Sequence, residues 1–332
     1  MADISLMVSQ YGNYYRNNGT IGKNNLHRHV FDRTNTKKLF TIRPTDNTII
    51  DNASIKVDDV VQAFYNKFSP KGKLTFTPNV WQLGHVKIND RIIPDEYAGT
   101  VLDFLNTKSP SRLDAPILAL TTEYYLQKAQ ENIEDTIIFK GVKALPSTTD
   151  QNNGVAGTTI GARDGIRKVI RDYNTAGKLV DENGNSNVIV MGAMPTTPAL
   201  MVEYIDTFYW ALPELQRSMI KAIAVKKSAE TLYKRGMSNK NQYYEKNSPS
   251  EFAYIENTDC AVVGLDSMTG SNMMWTSPSV NNIGFMKNGS NGGIMDIWQS
   301  GIYTVDIATD WWEGENFVTP QLVYVSDQDL SA

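Results

Sequence analysis

The sequence predicts an α+β fold, in which helices and strands occupy different parts of the chain. In the first half, apolar residues recur mostly at helical spacing, and one segment alternates apolar and polar residues as a long hairpin would. In the last third, short apolar segments follow one another between turns, which predicts a series of strands. Segregation of this kind is typical of α+β proteins, and 332 residues suffice for one large or two modest domains.

The composition is that of an ordinary globular protein, with 41% hydrophobic and 20% charged residues. The net charge of −4 does not indicate a strongly basic nucleic-acid binder. Charge is unevenly distributed, because residues 1–43 are mainly basic and residues 288–332 contain acidic residues but no Lys or Arg. We therefore expect the two ends to contact each other, a neighbouring chain or a polyanion. No signal peptide is expected, because no apolar core follows a basic start near the N-terminus, and no transmembrane span is expected, since no apolar run reaches about 18 residues.

The N-terminal segment, residues 1–54, is polar and rich in Asn, which predicts an extended arm outside any core. The arm contains Lys37, Lys38 and Arg43, which we expect to meet acidic residues between subunits. Residues 54–68 then show apolar residues at helical spacing and predict a short helix with Ser54 as its N-cap.

Residues 73–90 alternate apolar and polar side chains, which predicts two strands joined as a long hairpin. A hairpin without a third strand is marginally stable in water and exposes two edges. We therefore expect Trp81 and Leu83 to pack on a neighbouring subunit. Residues 55–93 are assigned to the short helix and this hairpin.

Residues 94–106 predict a helix, and a longer helix of about 25 residues follows, starting near Asp114 and ending near Lys140. Its apolar stripe includes Ile133 and Ile137, and carboxylates lie mostly on the other side, at Glu131, Glu134 and Asp135. These acids could form a catalytic pair, but the helical spacing and the nearby Lys128 favour a solvated or intersubunit face.

The rest of the chain first alternates helices with a strand and then consists mainly of strands. Residues 147–161 predict a polar loop, and the segments that follow predict helices at 162–177 and 196–212, a strand at 221–228 and a short helix after it. Strands are expected at 252–256, 260–265, 272–276, 283–287, 294–298, 302–308 and 317–325. Cys260 lies in an apolar run and is expected to be a small buried residue.

Motifs for catalysis, cofactors and metals are absent. The sequence contains no P-loop, no dinucleotide-binding glycine pattern, no HExxH and no nucleophile elbow. The "HRH" stretch, His27 to His29, has no Cys or third His nearby that would support a metal site. No catalytic, cofactor-binding or metal-binding residue is therefore predicted. A cytosolic hydrolase that uses Glu131, Glu134 or Asp135 remains a distant alternative.

The order of these elements resembles the major capsid proteins of tailed bacteriophages, which have the Hong Kong 97-type fold. Four segments carry the resemblance: "FSPKGKLTFTPNVWQLGHVKIND" with "IIPDEYAGTVLDFL", then "PILALTTEYYLQKAQENIEDTIIFKGV", the stretch 256–286, and "YTVDIATDWWEGENFVTPQLVYV". The resemblance implies an N-terminal arm, an extended β-hairpin (the E-loop), a long spine helix with a peripheral P-domain sheet, and a central A-domain. On this basis residues 94–146 belong to the P-domain, 147–290 mainly to the A-domain, and 291–332 return to the P-domain.

The resemblance implies a structural protein and not an enzyme. It would form pentamers and hexamers of an icosahedral head around double-stranded DNA, with separate scaffold, portal and decoration proteins as possible partners. No cofactor and no membrane are implied, and the expected location is the virion, after assembly in the host cytoplasm. An encapsulin-like compartment, which shares the fold and encloses protein cargo, is the alternative within the same class.

Overall fold

The structure, a computed structural model, describes residues 35–64, 66–93, 117–181, 184–240, 253–287, 296–302 and 304–330. Most of the predicted arm, the predicted helix 94–106 and the "HRH" stretch lie outside these ranges. The helices are α1 (Ile117–Asn132), α2 (Thr148–Asn152), α3 (Ile166–Thr175), α4 (Pro198–Trp210), α5 (Glu214–Arg217) and α6 (Lys227–Lys240). A π-helical turn, Ile133–Ile137, continues α1.

The strands form two mixed sheets and one separate ribbon. In chain order they are β1 (Thr41–Thr45), β2 (Ile49–Val57), β3 (Leu74–Gln82), β4 (Gly84–Ile92), β5 (Val188–Ile189), β6 (Ala222–Lys226), β7 (Ala253–Tyr254), β8 (Ala261–Leu265), β9 (Trp275–Thr276), β10 (Asn282–Lys287), β11 (Asp296–Gln299), β12 (Val305–Phe317) and β13 (Tyr324–Ser326). Helices and strands are both abundant, so the predicted α+β class is confirmed.

Strand β12 organises the first sheet, which has five strands. It pairs antiparallel with β4 over nine residues, with β11 near its start and with β10 near its end, while β1 lies parallel to β10. Its 13 residues alternate between buried and half-buried positions. This is the pattern of a strand with one face on the core and one towards solvent. Two separate strands were predicted at 302–308 and 317–325, whereas the chain forms this one long strand followed by β13.

The second sheet has six strands in the order β5-β13-β9-β6-β8-β7. Helices α4 and α6 share a hydrophobic core with β6 and β8, through side chains that include Phe208, Tyr233 and Val262. The two helices approach closely at Gly236, where a Cβ would lie 2.3 Å from the carbonyl oxygen of Pro198. Cys260 belongs to this core, as predicted, and burial raises the pKa of its thiol to about 12.

Strands β2 and β3 form an antiparallel ribbon that belongs to neither sheet. The hairpin predicted over residues 73–90 is therefore wrong, because β3 pairs with β2 and β4 pairs with β12. Only Leu83 separates β3 from β4, so the chain passes directly from the ribbon into the five-stranded sheet. Alternation identified both strands correctly but could not identify their partners.

The helix predicted over residues 54–68 is also wrong. Residues up to Val57 continue β2, and residues 58–64 have no regular secondary structure. The apolar residues at helical spacing, Val60, Val61, Phe64 and Phe68, are all exposed. A helix this short is stabilised mainly by packing of its apolar face, and the described chain offers this segment no surface to pack on.

Two further predictions need correction. The arm was predicted to extend to residue 54, but β1 is a strand of the five-stranded sheet and Phe40 lies in its core. Residues 147–161 were predicted as a loop, but they contain α2, whose N-terminus is capped by Ser147, and a short 3-10 segment at Thr159–Gly161. The apolar stripe of the long helix is confirmed, since Ile133 and Ile137 are buried in the first core.

Candidate assembly surfaces

The β2–β3 ribbon is anchored at one end and on one face only. Asn79 donates hydrogen bonds to the Tyr173 hydroxyl and to the Phe317 carbonyl, both at 3.1 Å. Asn52, which lies opposite Asn79 in the register, donates to the carbonyl of Val318 at 3.0 Å. The ring of Trp81 packs on that of Phe285, with the centroids 5.4 Å apart. These contacts hold the base of the ribbon to the body of the protein.

The opposite face of the ribbon is mostly apolar, apart from Asp51 and Gln82, and is uncovered by the residues the structure describes. In the register, Val57 lies opposite Leu74 and Ile55 lies opposite Phe76, so these side chains share a face. Six large apolar residues on this face are each more than half exposed: Ile49, Ile55, Val57, Leu74, Phe76 and Val80. Isolated exposed hydrophobic residues are common, but a contiguous apolar face marks an interaction surface.

The loop that joins β2 to β3, residues 58–73, extends this surface. Phe64 is 95% exposed and Phe68 is 97% exposed. The Gln62 side chain donates a hydrogen bond to the Ser69 carbonyl at 2.7 Å, and Lys71 donates to the Val61 carbonyl at 2.6 Å. These bonds cross the loop and give it a defined shape with both aromatic side chains outward.

A group of four charged side chains lies at the inner face of β12. Lys37 Nζ is 2.7 Å from Glu313 Oε2, and Arg163 Nε is 3.1 Å from Glu313 Oε1. Arg163 Nη1 lies 2.6 Å from Glu315 Oε2. All four side chains are at most 2% exposed, and their charges balance. The group joins the N-terminal segment, the loop before α3 and the central strand in one buried ionic cluster.

The electrostatics of the cluster favour an ionised Glu313. Burial by itself raises the pKa of Glu313, but the cations of Lys37 and Arg163 outweigh it and hold the pKa below its ordinary value. Access for Arg163 depends on Gly84, where a Cβ would lie 2.2 Å from that of Arg163. A glycine at the start of β4 therefore leaves space for the aliphatic part of the buried Arg163 side chain.

Glu134 binds the N-terminal segment to the π-helical turn. Its carboxylate accepts hydrogen bonds from the Thr36 hydroxyl at 2.6 Å and from the Thr36 backbone N–H at 3.2 Å. The Thr36 hydroxyl also lies 2.7 Å from that of Ser267. Burial raises the pKa of Glu134, although the bonds from Thr36 oppose this shift. Glu134 thus acts as a structural acceptor in this chain.

Three of the predicted intersubunit residues have partners inside their own chain, which corrects those predictions. Lys37 is buried in the ionic cluster because its side chain reaches Glu313 on β12. Trp81 and Leu83 are buried because β3 ends against the body, where the chain enters β4. They belong to the subunit's interior and are not exposed contacts.

The other predicted residues remain accessible. Lys38, Arg43, Glu131 and Asp135 are exposed, and Glu134 is partly buried. Glu131 forms a surface ion pair with Lys128 at 2.7 Å. Their roles between subunits stay predictions, and the structure does not bring them together with the ribbon's apolar face.

The apolar face was missed because its residues were assigned to a helix and to another hairpin. The alternation over 49–57 was the available signal, with apolar residues at Ile49, Ile55 and Val57. No group of three or more His, Cys, Asp or Glu in the described ranges could hold a metal ion. Within those ranges, no helix is long and apolar enough to cross a membrane.

Comparison with solved structures finds capsids that are similar to this chain. The chain is similar to the cyanophage A-1(L) capsid, with a TM-score of 0.53, 11% identity and 90% of each chain covered. It is similar to the capsid of the native GTA particle, with a TM-score of 0.52, 9% identity, and 90% of this chain and 89% of that one covered. It is also similar to the satellite phage P4 procapsid, with a TM-score of 0.51, 11% identity, and 91% of this chain and 98% of that one covered. The chain has the Hong Kong 97-type capsid fold.

No family model and no curated protein matches the sequence. At identities this low the structural likeness establishes the Hong Kong 97-type fold itself and leaves the function to be argued from the surfaces. The predicted fold is thus confirmed. The assignments of arm, E-loop, spine helix and domain bounds stay predictions, apart from the corrections above.

Proposed function

We propose that this protein is a structural subunit, a major capsid protein, that assembles into pentamers and hexamers of an icosahedral shell around double-stranded DNA. The observation that carries the proposal is the apolar face of the β2–β3 ribbon, which is exposed in the single chain. A ribbon held only at its base gains stability when a second copy covers that face. The capsid fold supports the same conclusion. The role is structural and not enzymatic, and the location is the virion.

The contribution of this face to assembly can be estimated from its area. Full burial of a large aliphatic or aromatic side chain contributes about 1.5–3 kcal/mol. Ile55 and Phe76 lie opposite each other near the middle of the ribbon, so removing both apolar side chains should weaken every copy of the contact. A loss of about 1.4 kcal/mol per contact already corresponds to a tenfold change in the equilibrium.

The test compares the purified wild-type chain with the double variant Ile55→Thr and Phe76→Thr. Threonine retains strand propensity, so the monomer should keep its circular dichroism spectrum and unfolding midpoint. We expect wild-type protein to form rings or closed shells in negative-stain electron microscopy. The variant should require at least about ten times more protein for half assembly. Val190→Thr, at a residue that is 83% exposed elsewhere, is the matched control and should assemble normally.

Two results would contradict the proposal. A wild-type chain that stays monomeric at high concentration across salt and crowding conditions would exclude a shell subunit. Normal assembly of the threonine variant would show that the ribbon face is not the contact.

A further inference from the structure

Helix α6 has one apolar face and one polar face. The apolar face lies in the second hydrophobic core, through side chains such as Tyr233 and Met237. Lys227, Thr231 and Lys234 are four and three positions apart, so they lie in one row along the helix. This surface, which we refer to as the α6 face, consists of the residues that are wholly or partly exposed on that side of the helix: Lys227, Ser228, Thr231, Lys234, Arg235, Ser238 and Asn239.

A buried carboxylate holds two cations of the α6 face in place. Glu230 is only 3% exposed, and its two carboxylate oxygens each lie 2.7 Å from an ammonium group, one of Lys227 and one of Lys234. The two lysine side chains remain 52% and 40% exposed. Gly264 on β8 leaves space for the acid, since a Cβ there would lie 2.3 Å from Glu230 Oε2. Both ammonium groups are therefore fixed at the surface.

The α6 face has an excess of positive charge, although the whole chain carries a net charge of −4. Glu230 is the only acid in the sequence of α6, and it balances one of the three cations Lys227, Lys234 and Arg235. Lys226, the last residue of β6, adds a fourth cation next to the start of the helix, where it donates a hydrogen bond to Asn272 Oδ1 at 2.6 Å.

Cations on other exposed elements are paired with acids. Lys168 on α3 forms an ion pair with Asp172, and Arg91 on β4 forms one with Asp306. These surfaces therefore attract an anion less strongly than the α6 face does, because an adjacent carboxylate repels it.

The residue types of the α6 face fit the backbone of DNA better than they fit a protein. Lys, Arg, Ser, Thr and Asn side chains are common partners of phosphate groups in DNA complexes. A protein interface has an apolar centre with aromatic anchors, and every exposed residue from Lys227 to Asn239 is polar. The row from Lys227 to Ser238 is about 16 Å long. Duplex DNA, which carries one charge per about 1.7 Å, is a partner that matches a straight cationic row.

We propose that the α6 face lines the interior of the shell and binds the phosphate backbone of the enclosed double-stranded DNA without reading its sequence. The inference rests on the proposed function, which supplies the DNA, and it adds the surface that meets the DNA and the orientation of the subunit. Contacts to phosphate alone are weak and salt-dependent, and they allow a protein to slide along DNA.

The first test measures the binding of a short fluorescent duplex to the purified chain by anisotropy across a salt series. Three phosphate contacts predict an affinity loss of at least about 40-fold between about 50 and 200 mM salt. Arg235→Glu with Ser238→Glu should weaken binding at least about tenfold and lower the salt slope by about one. The ion pairs of Glu230 are left intact, so the circular dichroism spectrum should not change.

Lys87→Glu with Asn89→Glu is the matched control, because it makes the same change of charge at two exposed residues of β4 and should leave the DNA affinity near wild type. Arg235→Gln alone is a milder variant that keeps the test valid if the double variant is unstable. It should still lower the salt slope by about one.

The second test reads the orientation of the α6 face in closed shells. Ser238→Cys should react with a polymer-linked maleimide in the dissociated chain but not in the shell, because the reagent is too large to cross the shell wall. Cys260 is buried with its pKa raised to about 12, so it supplies no competing thiolate.

The outcomes separate this inference from the function on which it rests. An unchanged duplex affinity of the α6 variants, an equal loss in the β4 control, or prompt labelling of Ser238→Cys in closed shells would overturn the inference and leave the shell function standing. A wild-type chain that forms no shell would overturn the proposed function itself, whatever its affinity for the duplex.

Discussion

Glu313 lies on the inner face of β12 and accepts hydrogen bonds from Lys37 and Arg163, with almost no access to solvent. The two cations lower the pKa of Glu313, so this carboxylate is ionised more readily in the folded state than in the unfolded state. A buried ion pair adds little net stability when it is complete, but removing one partner leaves an uncompensated charge. Glu313 is therefore a sensitive position although it has no role in chemistry.

We predict that Glu313→Gln destabilises the subunit by about 3–5 kcal/mol at neutral pH, because the buried cations lose an anion. A carboxylate with a lowered folded pKa contributes stability above its unfolded pKa and loses it as the pH falls through the folded value. The difference between variant and wild type should therefore shrink on acidification below the ordinary value of 4.5. Urea unfolding of the variant and of wild type, at neutral and at acidic pH, measures this difference in the free energy of unfolding.

Glu131→Gln is the control, since Glu131 is an exposed carboxylate with a surface partner, and it should change stability little. A Glu313→Gln variant as stable as wild type at neutral pH would show that the cluster is not held in its ionised form.

At the scale of elements, the β2–β3 ribbon divides into a base that belongs to the subunit and a distal part that does not. The base is fixed through Asn79 and Trp81, which are buried, whereas the distal strands and loop expose their apolar residues. Stability of the single chain should depend on the first part, and assembly on the second.

We predict that replacing residues 55–76 with Asn-Gly leaves the subunit folded and abolishes assembly. Ser54 and Thr77 lie opposite each other in the register, so a two-residue turn can join them. Circular dichroism and the unfolding midpoint should remain near wild type, while size-exclusion chromatography should show monomers. Replacing residues 77–86 should instead unfold the protein, because it removes Trp81, Leu83 and Val86 from the core. Unfolding of the 55–76 variant would place the distal ribbon in the subunit's own core.

At the scale of the whole molecule, the structure changes the expected balance of forces in assembly. The basic N-terminal segment and the acidic C-terminal segment do meet, but at Lys37 and Glu313 inside one chain. The large uncovered surface on the ribbon is apolar. Apolar contacts are not screened by salt, whereas exposed ion pairs are screened when the Debye length falls to about 3 Å at 1 M.

We predict that assembly persists in about 1 M sodium chloride and is strengthened by sulfate, which favours apolar burial. Light scattering at a fixed protein concentration across a salt series measures this. Lys38→Glu with Arg43→Glu, at two exposed positions, tests the remaining charges and should assemble nearly as well as wild type. Loss of assembly at high salt, or in this charge variant, would contradict the prediction and show that exposed charges make the main contact between subunits.

The type and order of most elements could be predicted from the amino-acid sequence. Local periodicity, which depends only on neighbouring residues, predicts helices α3, α4 and α6, most strands of the last third and the buried stripe at Ile133 and Ile137. The order of these elements was enough for the resemblance to the capsid fold.

Strand pairing and the burial of polar side chains such as Lys37 became clear only from the folded chain. Residues 73–90 contain two strands whichever partners they take, and the choice of β2 and β12 depends on segments far away in the chain. Lys37 looks like an arm residue until Glu313, 276 positions later, is brought beside it. Phe64 and Phe68 have helical spacing, yet no surface of the described chain covers them. Strand pairing, and the burial of residues such as Lys37, depend on contacts between distant parts of the chain, which local pattern does not specify.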